Sequence, residues 1–209
     1  METFFLVLEI TGTVAFAISG SLLALTKGMD LFGVCIMGLI TACGGGVMRD
    51  LFLDRLPPAM FREPVYALTA IGVSLVIFLP FVRRLLTRRE KAYEAVLLIA
   101  DSLGLGIFTA AGVAAAIGAG YGNSFFFAVF LGTVTGVGGG VMRDVLAGLP
   151  PYIFVKHIYA CASIAGAVLA AALWPFLGQA WSMLACLILV FVIRILAARH
   201  RWSLPKAKI

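Results

Sequence analysis

Seven residues occur twice in this chain, as Gly44-Gly45-Gly46-Val47-Met48-Arg49-Asp50 and as Gly138-Gly139-Gly140-Val141-Met142-Arg143-Asp144, 94 positions apart. Each copy ends a long apolar run and is followed within a few residues by Leu-Pro-Pro, at Leu56-Pro57-Pro58 and Leu149-Pro150-Pro151. Other positions fall in the same register: Glu9 on Asp101, Phe16 on Phe108 and Gly20 on Gly112 at an offset of 92, and Phe61 on Phe154 at 93. A register that drifts by only one or two residues across half a chain is an internal repeat, and it restricts the fold more than any single motif could.

The residues around the repeat fix the medium it folds in. The chain is 62% hydrophobic and 12% charged with a mean hydropathy of +1.08, whereas a soluble domain carries about 25% charge. It reads as an all-α integral membrane protein. Apolar segments near 4–25, 31–53, 64–82, 95–117, 124–147, 153–176 and 181–198 predict seven transmembrane helices and leave no room for a soluble catalytic domain. The first is a span rather than a signal peptide, because Met1-Glu2-Thr3 has no basic region. Cys35, Cys43, Cys161 and Cys186 lie inside apolar runs with no CxxC or Cys/His cluster, so they read as small core residues. Neither a structural metal nor a cofactor is expected.

The expected organisation is a first three-helix repeat at 1–82, a charged cytoplasmic linker at 83–93 and a second three-helix repeat at 94–178. A seventh helix at 179–199 and a basic cytoplasmic tail at 200–209 complete the chain. Three is odd, so the second repeat enters the membrane upside down and the two are related by an axis in the membrane plane. Lys27, Arg83, Arg84, Arg88, Arg89, Lys91, Arg143, Lys156, Arg194, Arg199, Arg201, Lys206 and Lys208 collect on one side, against Arg49, Arg55 and Arg62 on the other. This predicts a multi-pass protein of the inner (plasma) membrane with its N-terminus outside and its C-terminus cytoplasmic. The net charge of +6 reports that orientation, with the tail against anionic lipid headgroups, and no nucleic-acid partner is expected. Lys156-His157 reads as an interfacial anchor, and Trp174, Trp181 and Trp202 fit an aromatic belt.

Three consecutive glycines each cost roughly 1 kcal/mol relative to Ala in a helix, so the second and fifth helices are expected to bend or break at Gly44–Gly46 and Gly138–Gly140. Backbone groups freed in hydrocarbon need protein or water as partners. Two such breaks, inverted, would converge at the bilayer centre on a permeation or binding site. Gly38, Ala42 and Gly46, with Gly132, Gly136 and Gly140, also form stripes suited to plain helix packing. Thr41 and Thr135 match across the repeat; their hydroxyls could face an ion or water column, or bond their own i−4 carbonyls.

Glu9 lies about six residues, or roughly 9 Å, below the outer edge of its span, at the depth of Arg49. Asp101 and Arg143 mirror them near the inner face. The expectation is two ion pairs, Glu9 with Arg49 and Asp101 with Arg143, leaving Asp50 and Asp144 free to set the charge of two vestibules. The alternative is that the Arg-Asp dipeptides merely cap interfacial helix ends with each Arg reaching the headgroups. Carbonyl oxygens at glycine breaks suit K+ or Na+, favouring a cation channel with transient ions near the glycines. Inverted repeats also suit a secondary transporter of a small solute such as glycine. An enzyme ranks last: there is no HExxH or GxSxG, and His157 and His200 are the only histidines.

Two three-helix repeats carrying GGGVMRD in their second helices, plus a seventh helix, resemble the prokaryotic members of the trimeric intracellular cation (TRIC) channel family. The same paired repeat is that of the bacterial "glycine transporter" domain family. The resemblance covers residues 4 to 198 and rests on the doubled motif. It implies a homotrimer with one water-filled pore per protomer, lined by the second and fifth helices and passing K+ and less selectively Na+. It also implies a constriction at Gly44, Gly45, Gly46, Gly138, Gly139 and Gly140, flanked by Arg49, Asp50, Arg143 and Asp144.

Overall fold

The computed structural model describes residues 2–87, 90–155 and 158–202. Arg88, Arg89, Lys156, His157, Lys206 and Lys208, used above for orientation and anchoring, lie outside the described residues. Every regular element among the described residues is helical. In order they are α1 (Glu2–Thr26), α2 (Leu31–Phe52), the single turn α3 (Ala59–Arg62), α4 (Val65–Phe78), α5 (Pro80–Thr87), α6 (Glu90–Ala116) continued by a π-helical turn (Ile117–Tyr121), α7 (Phe125–Leu146), the single turn α8 (Tyr152–Val155) and α9 (Ala160–His200). Five of these are long and apolar enough to cross a membrane: Thr3–Thr26, Leu31–Phe52, Lys91–Tyr121, Phe125–Leu146 and Ala160–His200. The protein is a multi-pass, all-helical membrane protein.

Local chemistry sets the boundaries. Asp30 starts α2 by accepting from the Gly33 N–H at 2.8 Å, and Ser124 does the same for α7 through Phe127 at 3.4 Å. Pro80 forces Leu79 into an extended backbone (ψ 135°), which ends α4 and restarts the chain as α5. The charged stretch 83–93 is itself helical wherever it is described, at 83–87 in α5 and 90–93 in α6. α9, at 41 residues, is twice what a bilayer core needs, and it leaves helical backbone at Gly178 (φ 70°, ψ −178°), just beyond Pro175.

The glycine triplets do not break their helices. α2 and α7 are helical throughout, and the glycines at positive φ are Gly28, Gly120, Gly148 and Gly178. The triplets instead let α2 and α7 cross in contact. A Cβ at Gly45 would overlap the Thr135 carbonyl oxygen, and one at Gly139 the Thr41 carbonyl oxygen. One at Gly44 would meet Met142 Sδ at 2.6 Å, and one at Gly138 would meet Met48 Sδ at 2.8 Å. Backbone approach this close is what small residues supply in a membrane, and packing outweighs the propensity cost that predicted a break. The neighbouring stripe serves the same end: a Cβ at Gly38 would strike the Ser21 and Ser74 hydroxyls, and one at Gly136 the Thr109 hydroxyl. Those hydroxyls join helices, Ser21 to Ser74 at 2.9 Å and Thr109 to Ser163 at 2.7 Å.

At the centre, Phe16 and Phe108 lie 5.3 Å apart, both buried. Gly104 leaves room for the Phe16 ring, and Gly12 for Ile107 and Phe108. Residues that match in sequence thus meet across the middle of the molecule.

Candidate functional site

Each copy of Arg-Asp builds the same local unit. Arg49 Nε donates to Asp50 Oδ1 at 2.9 Å, and the other Asp50 oxygen accepts the Ala59 N–H at 2.7 Å. Arg143 Nε donates to Asp144 Oδ1 at 2.9 Å, and the other Asp144 oxygen accepts the Tyr152 N–H at 2.8 Å. Each aspartate therefore reaches past its own helix end and caps the next short helix, α3 or α8. This corrects the expectation that Asp50 and Asp144 stand free in vestibules: their side chains are 1% and 0% exposed. The loops folding back over them, through Leu56-Pro57-Pro58 and Leu149-Pro150-Pro151, bring a donor eight or nine residues downstream onto the carboxylate.

Beyond that shared unit the sets differ in burial. In the set built on the first repeat, called outer after the orientation expected from the sequence, as its counterpart is called inner, Arg49 Nη1 lies 3.8 Å from Glu9 Oε1, the Tyr66 hydroxyl donates to Glu9 Oε2 at 2.6 Å, and Glu9 is 28% exposed. In the inner set, Arg143 Nη1 donates to Asp101 Oδ1 at 2.7 Å and also to the Ser19 hydroxyl. The Tyr159 hydroxyl stands 3.5 Å from Asp101, and both charged partners are 1% exposed. A second guanidinium joins here, Arg194 of α9, with Nη2 3.5 Å from Asp101 Oδ2 and its carbon 4.7 Å above the Tyr159 ring. Among the described residues, Arg49 is the sole basic partner of Glu9.

The outer set opens on a cavity of about 480 Å³. Its mouth carries Glu9, Arg49, Arg55, Arg62 and Glu63, and its floor includes Gly46, Cys43 and Phe108. A Cβ on Gly46 would meet none of the described residues within 4 Å, whereas one on the matching Gly140 would come within 2.9 Å of the Tyr159 hydroxyl. A groove of about 590 Å³ lies at the other end, between Lys91, Glu94, Leu97 and Asp101 of α6, Tyr152, and Arg194 and Arg199 of α9. Leu97, Asp101 and Tyr152 match Phe5, Glu9 and Ala59 of the outer cavity, so the two openings are counterparts.

Of the glycines expected at a constriction, Gly46 faces open space, while Gly44, Gly45, Gly138 and Gly139 are closed within the crossing and Gly140 lies under Tyr159. The Thr41 and Thr135 hydroxyls donate to their own i−4 carbonyls, Met37 and Leu131, each at 2.6 Å, so the helix-internal alternative holds. Sequence reasoning passed over Tyr66 and Tyr159, although their offset of 93 matches Phe61 and Phe154. It counted Arg194 only as a cytoplasmic charge, and nothing in the repeat points to it. No cluster of potential metal ligands occurs among the described residues.

A family model described as glycine transporter matches the chain twice, over residues 6–81 and 98–175. A UPF0126 membrane protein of Deinococcus radiodurans is 39% identical over 201 residues, covering 93% of this chain and 87% of the relative. Among solved structures, one from work on conductance through TRIC cation channels shares 35% identity and a TM-score of 0.85, covering 97% of both chains. A prokaryotic TRIC channel solved in 0.5 M KCl shares 31% identity and a TM-score of 0.88, covering 98% of this chain and all of the other. These neighbours are ion channels, not enzymes. On the doubled repeat and on similarity spanning nearly its whole length, the chain belongs to the prokaryotic TRIC channel family, whose paired-repeat model carries the glycine-transporter description.

Proposed function

We propose that the protein is a monovalent cation channel, conducting K+ and less selectively Na+, assembled as a homotrimer with one path per protomer. In this reading the chain has seven spans: α4 with α5 makes the third, and α9 divides at Gly178 into the sixth and seventh. The units 1–82 and 94–178 are inverted copies joined by the 83–93 linker, with 179–199 as the seventh span and 200–209 as the cytoplasmic tail. The N-terminus is outside, and the chain lies in the inner (plasma) membrane.

The observation that carries the proposal is the outer cavity, lined by Glu9, Arg49, Arg55, Arg62 and Glu63 at its mouth and floored by Gly46 and Phe108. Charged side chains at membrane depth face water or one another, and a roomy polar funnel ending at the middle of the molecule is a wet path. The path narrows at the Phe16–Phe108 pair, an apolar constriction that excludes water when closed. Beyond it lie the buried inner set and the inner groove. With no break at the glycine triplets, selectivity rests on the charged mouths and the aromatic constriction, while the triplets hold α2 and α7 together.

The glycine-transporter description supports a second reading. A carboxylate and a guanidinium 3.8 Å apart at the cavity mouth, Glu9 and Arg49, could hold the amine and carboxylate of a zwitterion. Bilayer recording of the purified protein in asymmetric KCl separates the two. The channel reading expects unitary currents reversing toward the K+ equilibrium potential. Saturable glycine uptake into liposomes with no current would replace it with the transporter.

A further inference from the structure

We propose that Arg194 makes the inner mouth electrostatically unlike the outer one and so sets the direction in which cations pass more readily. The inference rests on the channel reading. The two repeats deliver matched sets, Glu9, Arg49, Asp50 and Tyr66 at one end and Asp101, Arg143, Asp144 and Tyr159 at the other. Taken alone, each holds two carboxylates and one guanidinium. Arg194 comes from α9 beyond Gly178, a stretch with no repeat counterpart, and it adds a second guanidinium to the inner set alone.

The mouths therefore differ in charge. Around the outer cavity Glu9, Asp50 and Glu63 stand against Arg49, Arg55 and Arg62, which is neutral. Among the described residues around the inner groove Lys91, Arg194 and Arg199 stand against Glu94 and Asp101, which is one positive charge, and Arg143 with Asp144 behind it adds none. A cation thus approaches the outer mouth freely and meets a repelling unit charge at the inner one. At about 10 Å through water a unit charge changes local cation concentration roughly twofold, and less at high salt. The protein passes cations inward more easily than outward.

Arg194 is suited to this role because it does little else. Among the described residues it makes a 3.5 Å contact with Asp101 and stacks on Tyr159, and its buried Nε has no partner. Asp101 is also held by Arg143 at 2.7 Å, so removing the Arg194 charge should strand no carboxylate. Replacement by Met keeps the stem over the ring, and replacement by Lys keeps the charge.

The test is the current–voltage relation of single channels in symmetric KCl, recorded in inside-out patches from giant spheroplasts so that sidedness is known. The wild type should carry about twice the current inward as outward at equal and opposite voltages. Arg194→Met, or Arg194→Gln should the first fail to assemble, should give a symmetric relation by removing the inner charge. Arg194→Lys should restore the asymmetry. Glu9→Gln should also give symmetry, by raising the outer mouth to the same charge, and Glu9→Gln combined with Arg194→Met should reverse the preference. A purely structural role for Arg194 could alter stability or opening but would not invert the asymmetry in the double variant. Wild-type currents that are symmetric, or an asymmetry unchanged by Arg194→Met, overturn the inference and leave the channel standing. A wild type without current overturns the channel itself.

Discussion

Adding one methyl group at successive positions of the first triplet should give opposite results. At Gly45 the new Cβ would overlap the Thr135 carbonyl oxygen and lie 3.1 Å from its carbon and 3.5 Å from the Gly139 nitrogen. All of these are backbone atoms of α7, so relief requires the two helices to separate. Overpacking costs about 1–3 kcal/mol, and rigid surroundings put this case near the top of that range. Against it stands the helix propensity gained by Gly→Ala, about 1 kcal/mol. The expected net effect of Gly45→Ala is therefore about 2 kcal/mol of destabilisation. At Gly46 the new Cβ would have none of the described residues within 4 Å, and Gly46→Ala should stabilise by about 1 kcal/mol. Denaturant unfolding of the purified protein in bicelles, followed by far-UV circular dichroism, reads the gap of about 3 kcal/mol directly. Gly45→Ala combined with Gly139→Ala should cost less than the sum, because helices already pushed apart relieve the second clash. Equal effects at Gly45 and Gly46 would refute the view that the triplet is a packing surface and restore the hinge.

Other outcomes follow from the same geometry. Asp144→Asn leaves two buried guanidiniums, Arg143 and Arg194, to share Asp101 alone and should destabilise by about 3–5 kcal/mol, whereas Asp50→Asn, whose Arg49 is 13% exposed and keeps Glu9, should cost clearly less in the same unfolding assay. Phe16→Ala should lower stability by about 3–5 kcal/mol and, on the proposed channel reading, raise open probability in bilayer recordings, because it deletes half of the aromatic pair proposed as the constriction. A cysteine at Gly46 should react with a membrane-impermeant thiol reagent added outside, and one at Gly140 should react from neither side, being covered by the Tyr159 hydroxyl.

The sequence reading reached furthest where two copies could be compared. Depth alone put Glu9 level with Arg49 and Asp101 level with Arg143, and the structure puts those pairs 3.8 and 2.7 Å apart. It failed at the triplets because three glycines look the same in a sequence whether they free a backbone or admit a neighbouring one. Only the opposing Thr41 and Thr135 carbonyls distinguish the two, and which helix crosses α2 is a tertiary fact. Asp50 and Asp144 were misplaced because their backbone donors, Ala59 and Tyr152, are delivered by a loop whose return path no periodicity encodes. Tyr66 and Tyr159 were legible, since they share the repeat's own offset. Arg194 was not, because a helix outside the repeat offers nothing to compare.

The central claim is that each protomer carries its own cation path, entered through the outer cavity beside Gly46. It is tested most directly by recording Gly46→Cys, in a background with the four native cysteines replaced by Ala, while a cationic thiol reagent is added to the outer side. The account predicts that the current of one trimer falls irreversibly in three equal steps. Conduction undisturbed by complete modification of that cysteine, or abolished in a single step, would contradict it.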